Sequence, residues 1–424
     1  MTVTITVTAC HNSLVAPPWD GIVSRVPHIH VILGDGAYVD RGYPNTNGSD
    51  VTATSIHPDV PAGQAAYWLT LYDQQFNETG PQQLFALRAA GLTKVVNIWD
   101  DHGKAWNNAD WTPINSPMWD KDGGVYATPA QIAAYFKVCD AGGELVRAKY
   151  FDNPPPSAPN GDAPSALAGY LAPSDIKVEY FYWDIDRTGQ VTTSTADAIA
   201  RLIFPDLVRY KDPYAGTDGP AKTTLGTTQK AWLKAVSLAA KAAGIPNIFW
   251  VFSKNWWTQD NADGMKSYTY ERAELWQFIE DNDLPVIHIT GDRHTPHSQL
   301  LRTADGAPYN GHVVCMCPFG SDATAMVQVE STLHWDNRND AVVYGVIELD
   351  ADARAITLQI VDAWPGDVSG TPAVRYLARH RFGERLPYEV CMVADNPVTP
   401  NPTPVLSDET NLISQRAVTP IASL

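Results

Sequence analysis

The chain has 424 residues, of which 44% are hydrophobic and 18% charged, with Lys+Arg 30 against Asp+Glu 47. That is enough apolar material for a large core and too little charge for a disordered chain. The net charge of −17 repels nucleic acid and anionic lipid, so no sequence-specific nucleic-acid binding is expected, and an anionic substrate would need bound cations to hold it.

In chain order, the start MTVTITVTAC sets Val3, Ile5 and Val7 against threonines and carries no basic n-region, which predicts a first strand rather than a signal peptide. No run of 18 apolar residues occurs, so no membrane span is expected. The compartment stays open between the cytoplasm and a larger assembly such as a virion. Four short apolar runs each end in a polar cluster. His28–Leu33 runs into Gly34-Asp35, Lys94–Trp99 into Asp100-Asp101-His102, Glu179–Trp183 into Asp184, and Pro285–Thr290 into Gly291-Asp292-Arg293-His294. Residues 103–175, with Trp106, Trp111, Trp119 and the run PPPSAPNGDAP, read as an irregular, cap-like insertion over the strand ends. Gln229–Ala243 places Trp232, Val236 and Ala240 four apart, stops at Gly244 and leads past Pro246 to the strand Ile248–Phe252. Tyr270–Asp281 places Leu275, Phe278 and Ile279 on one face. This alternation predicts a layered α/β core.

Beyond about residue 340 the pattern turns to β. Ala341–Leu349 and Ala355–Asp362 form a hairpin around Asp350–Arg354, and Val374–Arg381 is a further strand, so antiparallel strands close the core. The expected organisation is one catalytic domain over 1–393, a stiff Pro-rich linker over 394–406 with Pro397, Pro400, Pro402 and Pro404, and a short tail over 407–424. The tail is read either as unstructured or as a docking element for a homo-oligomer or a larger assembly. The five cysteines, Cys10, Cys139, Cys315, Cys317 and Cys391, are odd in number and scattered, which argues against a disulfide framework and for buried thiols.

Three polar loops carry the chemistry: GDGAYVD with Asp35, Tyr38 and Asp40; WDDHGKAWNN with Asp100, Asp101, His102, Asn107 and Asn108; and GDRHTPH with Asp292, His294 and His297. Carboxylates gathered in a partly dry cleft repel one another unless a cation compensates them. Asp, His and Asn with an occasional Tyr or Cys form the ligand set of Ca, Mn, Fe or Zn. Two metals sharing a carboxylate can clamp a phosphoester for in-line attack.

The order of fragments resembles the PhoD-like (alkaline phosphatase D-like) branch of the calcineurin-like metallophosphoesterases: ACH at 9–11, GDGAYVD at 34–40, WDDH at 99–102 with Asn107-Asn108 downstream, LGTTQKAWL at 225–233, ADGMKSYTYERAEL at 262–275, and ITGDRH at 289–294. The resemblance spans roughly residues 5–365. It implies a four-layer α/β/β/α sandwich that hydrolyses small phosphoesters, diesters or loosely selected monoesters, as an alkaline phosphatase or phosphodiesterase does. It implies that Asp35 bridges two metals, that Cys10 and Tyr38 bind Fe3+, and that Asp101 with Asn107 or Asn108 binds Ca2+, with Mn2+ or Zn2+ as alternatives. Asp292 and His294 would complete the ligands or the phosphate contacts, and His102 would face the leaving group or the phosphate. Two departures stand out. Where the pattern has D-x-R this chain has Asp184-Ile185-Asp186-Arg187, so the phosphate contacts assigned to Asp184, Arg187 and Arg293 rest on an altered motif, and Gly103 follows WDDH where an acidic residue is usual.

Plainer roles stand beside these. Cys10 reads equally as a core thiol and Tyr38 as a loop tyrosine; His28, His30 and His288 read as core or supporting histidines; His57, His334 and His380 carry no assigned role. Trp256-Trp257 either lines a cleft or packs in the core. A non-catalytic or weakly catalytic component of a larger assembly on the same fold is the competing functional class.

Overall fold

The computed structural model describes residues 1–11, 19–39, 65–105, 109–112, 128–159, 162–255, 264–292, 294, 296–302, 308–316, 333–336, 342–362, 373–387 and 389–392. In chain order the elements are β1 (Thr2–Thr8), α1 (Asp20–Val23), β2 (Ile29–Leu33), α2 (Ala65–Phe76), α3 (Thr79–Ala89), β3 (Lys94–Ile98), α4 (Asp101–Lys104), α5 (Pro129–Tyr150), β4 (Ser157–Pro159), β5 (Lys177–Val178), β6 (Phe181–Asp186), β7 (Val191–Thr192) and β8 (Ala198–Phe204). They continue as α6 (Thr227–Ala242), β9 (Ile248–Phe252), α7 (Thr269–Asp281), β10 (Val286–Thr290), β11 (His297–Arg302), β12 (Pro308–Cys315), β13 (Leu333–Asp336), β14 (Val343–Asp350), β15 (Ala355–Asp362), β16 (Ala373–Arg381) and β17 (Glu389–Met392).

Two large mixed sheets face each other. The first has the order β17-β16-β15-β14-β1-β2-β3 and the second β13-β11-β12-β10-β9-β8-β6-β7. Strand alternation sorts the side chains into layers. From β2, Ile29, Val31 and Leu33 turn inward to meet Leu202, Phe204, Phe249, Val251, Ile287 and Ile289 of the opposite sheet. Ile32 and Val95 turn outward under the helical residues Trp68, Tyr72, Leu84, Phe136 and Val146. On the far side, Ile203, Trp250, Phe252 and Val286 pack beneath Leu233 and Ala240 of α6 and Leu275 and Ile279 of α7. The result is the expected helix, sheet, sheet, helix sandwich. The C-terminal strands are antiparallel as expected: β14 pairs with β15, β15 with β16, and β16 with β17.

Strand direction places the site. β1, β2 and β3 run parallel, and so do β8, β9, β10 and β12. The loops after these strands emerge at the C-terminal edges of the two sheets.

The expectation of an irregular 103–175 is corrected over its middle part. Pro129–Tyr150 is a 22-residue helix opened by a capping box, with the Thr128 side chain accepting the Gln131 N–H and Gln131 reaching back to the Thr128 N–H. Its buried face carries Ile132, Phe136, Cys139, Gly142 and Val146 and packs on α2. The linker at 394–406, the tail at 407–424 and Trp256-Trp257 lie outside the described residues.

Candidate metal centre

Five strand ends supply the site. β1 delivers Cys10 and His11, β2 delivers Asp35, β3 delivers Asp100 and Asp101, β9 delivers Lys254, and β10 delivers Asp292. Backbone hydrogen bonds join the first two loops: the Cys10 N–H donates to Gly34 O at 3.3 Å and the His11 N–H to Asp35 O at 2.8 Å. Glycine is what lets the ends meet. A Cβ on Gly34, whose φ is +85°, would overlap the Asp100 Cβ, and one on Gly291 would stand 2.6 Å from Leu33 O and 3.0 Å from Ser253 O. Three non-glycine residues at these turns adopt left-handed backbone: Cys10 (φ 56°), Asp35 (φ 47°) and Asp292 (φ 63°). Such conformations persist where surrounding structure imposes them, and they gather at functional sites.

The carboxylates converge. One oxygen from each of Asp35, Asp100, Asp101 and Asp292 lies within 4.8 Å of the others. Asp35, Asp100 and Asp101 are buried. The Asp35 Oδ1 accepts the Gly103 N–H at 3.2 Å, and Asp100 Oδ1 accepts the Asp101 N–H at 2.9 Å at the start of α4. Lys254, also buried, sets its Nζ 2.8 Å from Asp100 Oδ1, 2.7 Å from Asp101 Oδ1 and 2.8 Å from Asp292 Oδ1. The other Asp100 oxygen, Oδ2, is buried with no hydrogen-bond partner.

The electrostatics reflect this crowding. Burial pushes the Asp35 carboxyl up to about 7, with His102 and Lys254 pulling it down and Asp101 and Asp292 pushing it up. Burial likewise holds Asp100 well above the usual carboxylate range despite Lys254. Asp101 is opposed by burial too, but Lys254, His102 and Lys211 outweigh it and hold the carboxyl below the usual range. A buried, unpartnered carboxylate oxygen in a group of four carboxylates fits a hard cation, because its charge and open coordination compensate both deficits.

Of the predicted residues, Asp35, Asp101 and Asp292 are brought together, and Asp100 joins them. Tyr38, His102 and His294 gather alongside: the Tyr38 hydroxyl lies 3.3 Å from His294 Nε2, and the Tyr38 ring sits 4.6 Å from the His102 ring. Cys10 and His294 are not members of the close carboxylate group; the Cys10 side chain packs in the apolar layer between the sheets. Asn107, Asn108, Asp40 and Arg293 lie outside the described residues.

Asp184 and Arg187 are elsewhere. β6 runs antiparallel to β8, and Asp184 pairs with Arg201, level with Ile248 at the start of β9. Its carboxylate forms a buried bidentate ion pair with Arg201, at 2.6 Å to Nε and 2.7 Å to Nη2. Arg187 acts electrostatically on the chain's amino terminus and Asp352, at the N-terminal end of β1. The substrate role expected of both is therefore corrected: they lie toward the edge opposite the site.

The strand that does reach the site is β8. It leads into Asp206, Arg209 and Lys211, all buried. Arg209 pairs with Asp140 at 2.7 Å and with Glu179, and Lys104 bridges Asp140 at 3.2 Å and Glu179 at 3.3 Å. This buried network anchors α5 beside the centre. Sequence reasoning missed β8, Lys211 and Lys254. The available signal was the same one used elsewhere, an apolar run ending in polar residues: AIARLIF before Pro205-Asp206, and IFWVF before Ser253-Lys254-Asn255.

Two facing mixed sheets with a carboxylate cluster at their C-terminal edges define a layered α/β fold. Among solved structures, a structure of PhoD superposes on this chain with a TM-score of 0.60 at 15% sequence identity, covering 93% of this chain and 72% of that one. The likeness extends through the sandwich and establishes the fold. No family model matches the sequence, and no curated protein matches it.

Proposed function

We propose that the protein is a metal-dependent phosphoester hydrolase acting on small substrates. The observation that carries this reading is the cluster of Asp35, Asp100, Asp101 and Asp292 at the strand ends of both sheets, on a fold shared with PhoD. Carboxylates of this cluster would hold the metal, Asp35 and Asp100 foremost. When bound, it would supply Lewis acidity and neutralise the charge of a phosphate group. An all-carboxylate donor set favours a hard cation, calcium or manganese, over zinc; Fe3+ would draw on the Cys10 thiolate and the Tyr38 phenolate as well.

The chain's own residues would do the rest. His102, next to Asp35 and Asp101, would carry the proton for the leaving oxygen. Tyr38 and His294, held to each other, form a polar wall that orients the ester. Lys211 adds positive potential near Asp101, which helps an anionic substrate approach a protein of net charge −17.

The test is hydrolysis of bis-p-nitrophenyl phosphate and p-nitrophenyl phosphate by the purified chain, before and after chelation and after return of calcium with and without iron. Activity lost and then restored supports the reading, and the ratio of the two rates separates diesterase from monoesterase. Activity indifferent to chelation, or no hydrolysis of any phosphoester with metal bound, overturns it.

One observation favours a second reading, a weakly catalytic component of a larger assembly. Lys254 already compensates three of the four carboxylates, so the cluster has a counter-charge of its own. Metal content separates the two readings.

A further inference from the structure

The phosphoesterase reading gives Lys254 no role, yet Lys254 sits in the middle of the centre. Its Nζ donates hydrogen bonds to Asp101 Oδ1 at 2.7 Å and Asp292 Oδ1 at 2.8 Å, and ion-pairs with Asp100 Oδ1 at 2.8 Å. An ammonium carries three N–H donors and no lone pair. Three carboxylates match that number of donors. The group thus gathers anionic oxygens as a cation does, from the strand end β9 of the sheet facing β2 and β3.

A metal ion touching the same three oxygens would stand about 2.0–2.6 Å from each. It would compete with the ammonium for its acceptors and be repelled by its charge in a buried environment where screening is weak. The ammonium and a metal therefore exclude each other at this position. Asp35 and the unpartnered Oδ2 of Asp100 remain.

We infer that Lys254 is a built-in replacement for one of the two cations of the centre, so that the chain binds one metal ion at the Asp35 and Asp100 side. The inference rests on the metal-centre reading above. Lys254 supplies fixed charge and rigid spacing between the two sheets. With its three donors directed at the carboxylates and no coordination position to exchange, it offers a phosphate oxygen no open site and supplies no metal-like activation of water. It is a positioning residue, and the chemistry falls to the remaining cation position with His102, Tyr38 and His294.

The experiment is a count of bound metal. The full chain, wild type and with Lys254→Asn, is stripped with chelator, dialysed against calcium or manganese, and its metal content per chain measured by elemental mass spectrometry. The expected result is one ion for the wild type and two for Lys254→Asn, with calcium raising the melting temperature of the variant more than that of the wild type. Two or more ions in the wild type, or an equal count in both proteins, overturns the inference. Should Lys254→Asn not fold without cations, refolding it in calcium and repeating with Lys254→Met gives the same comparison, and two or more ions in the wild type alone still overturn the inference. The outcome is separable from the hydrolase reading. One ion gained on substitution with no phosphoester cleaved would sink the hydrolase reading and leave the inference intact, whereas two ions in an active wild type would do the reverse. No metal in either protein overturns both.

Discussion

Gly34 and Asp100, at the ends of the neighbouring strands β2 and β3, pack so closely that a single methyl group on Gly34 would overlap the Asp100 side chain. Asp100 in turn contacts Lys254 of the opposite sheet. The glycine thereby sets the separation between two loops that both feed the carboxylate cluster. Gly34→Ala introduces both the overlap and a strained φ of +85°; strain of this kind is worth about 1–3 kcal/mol. The expected outcome is a stability loss of at least about 2 kcal/mol in urea titrations together with weakened calcium binding. Unchanged calcium binding in a folded Gly34→Ala protein would contradict the role assigned to this contact.

The ion pair between Asp184 and Arg201 separates structure from function. Both side chains are buried and paired through two short contacts. Removing one partner leaves the other charge buried and uncompensated, which costs about 3–5 kcal/mol. Asp184→Ala should lower stability by that amount while leaving the phosphoester rate of the folded fraction within about twofold of wild type, and Arg187→Ala should change neither. A selective loss of rate in either variant, with stability intact, would return these residues to the substrate site.

Acid should destabilise the protein steeply. His30, between Thr6 and Thr8, His288, stacked on Trp276, and His380, bonded to His312 at 2.9 Å, are each held down to about 3 by burial. A base depressed in the folded state contributes stability that is fully present above its unfolded value near 6.5 and is lost as pH falls toward 3. Each such group costs about 1.4 kcal/mol per pH unit below that value. With His11, held at about 3 in the same way, the four remove about 7 kcal/mol between pH 6.5 and 5. The denaturant midpoint should fall accordingly, and His288→Phe should reduce the slope by about a quarter. A flat profile over this range would contradict the burial of neutral histidines.

Much of this was legible in the sequence where local chemistry and position agree. Strands such as Lys94–Ile98 and Ile248–Phe252 are short apolar runs ending abruptly in polar residues, and the hairpin of β14 and β15 is announced by the polar turn Asp350–Arg354. Asp35, Asp101 and Asp292 could be chosen because each follows such a strand. Two features hid from that logic. The helix at Pro129–Tyr150 carries Gly142-Gly143 in its middle, each worth about 1 kcal/mol against helix. Gly142 is tolerated because the Trp68 ring of α2 presses against that face, too close for a Cβ, a tertiary reason invisible locally. Lys254 is a lone lysine after a buried strand, and its meaning comes from three aspartates supplied by two other loops. Asp184 misled for the converse reason: it follows an aromatic run, but β6 runs antiparallel to its neighbour β8 and carries it away from the site.

The central claim is that the four-aspartate cluster is a metal-dependent phosphoesterase centre, and Asp35 tests it most directly. Burial already raises its carboxyl to about 7, so Asp35→Asn removes a charge that the folded state holds at a cost and should leave the stability of chelated protein undiminished. The decisive measurement is the rate of phosphodiester hydrolysis by chelated wild type and Asp35→Asn as calcium is returned, each sample checked for a cooperative melt. The account predicts a wild-type rate that rises with bound cation and an Asp35→Asn rate lower by about 100-fold or more. A folded Asp35→Asn protein with near-wild-type, cation-dependent turnover would contradict it.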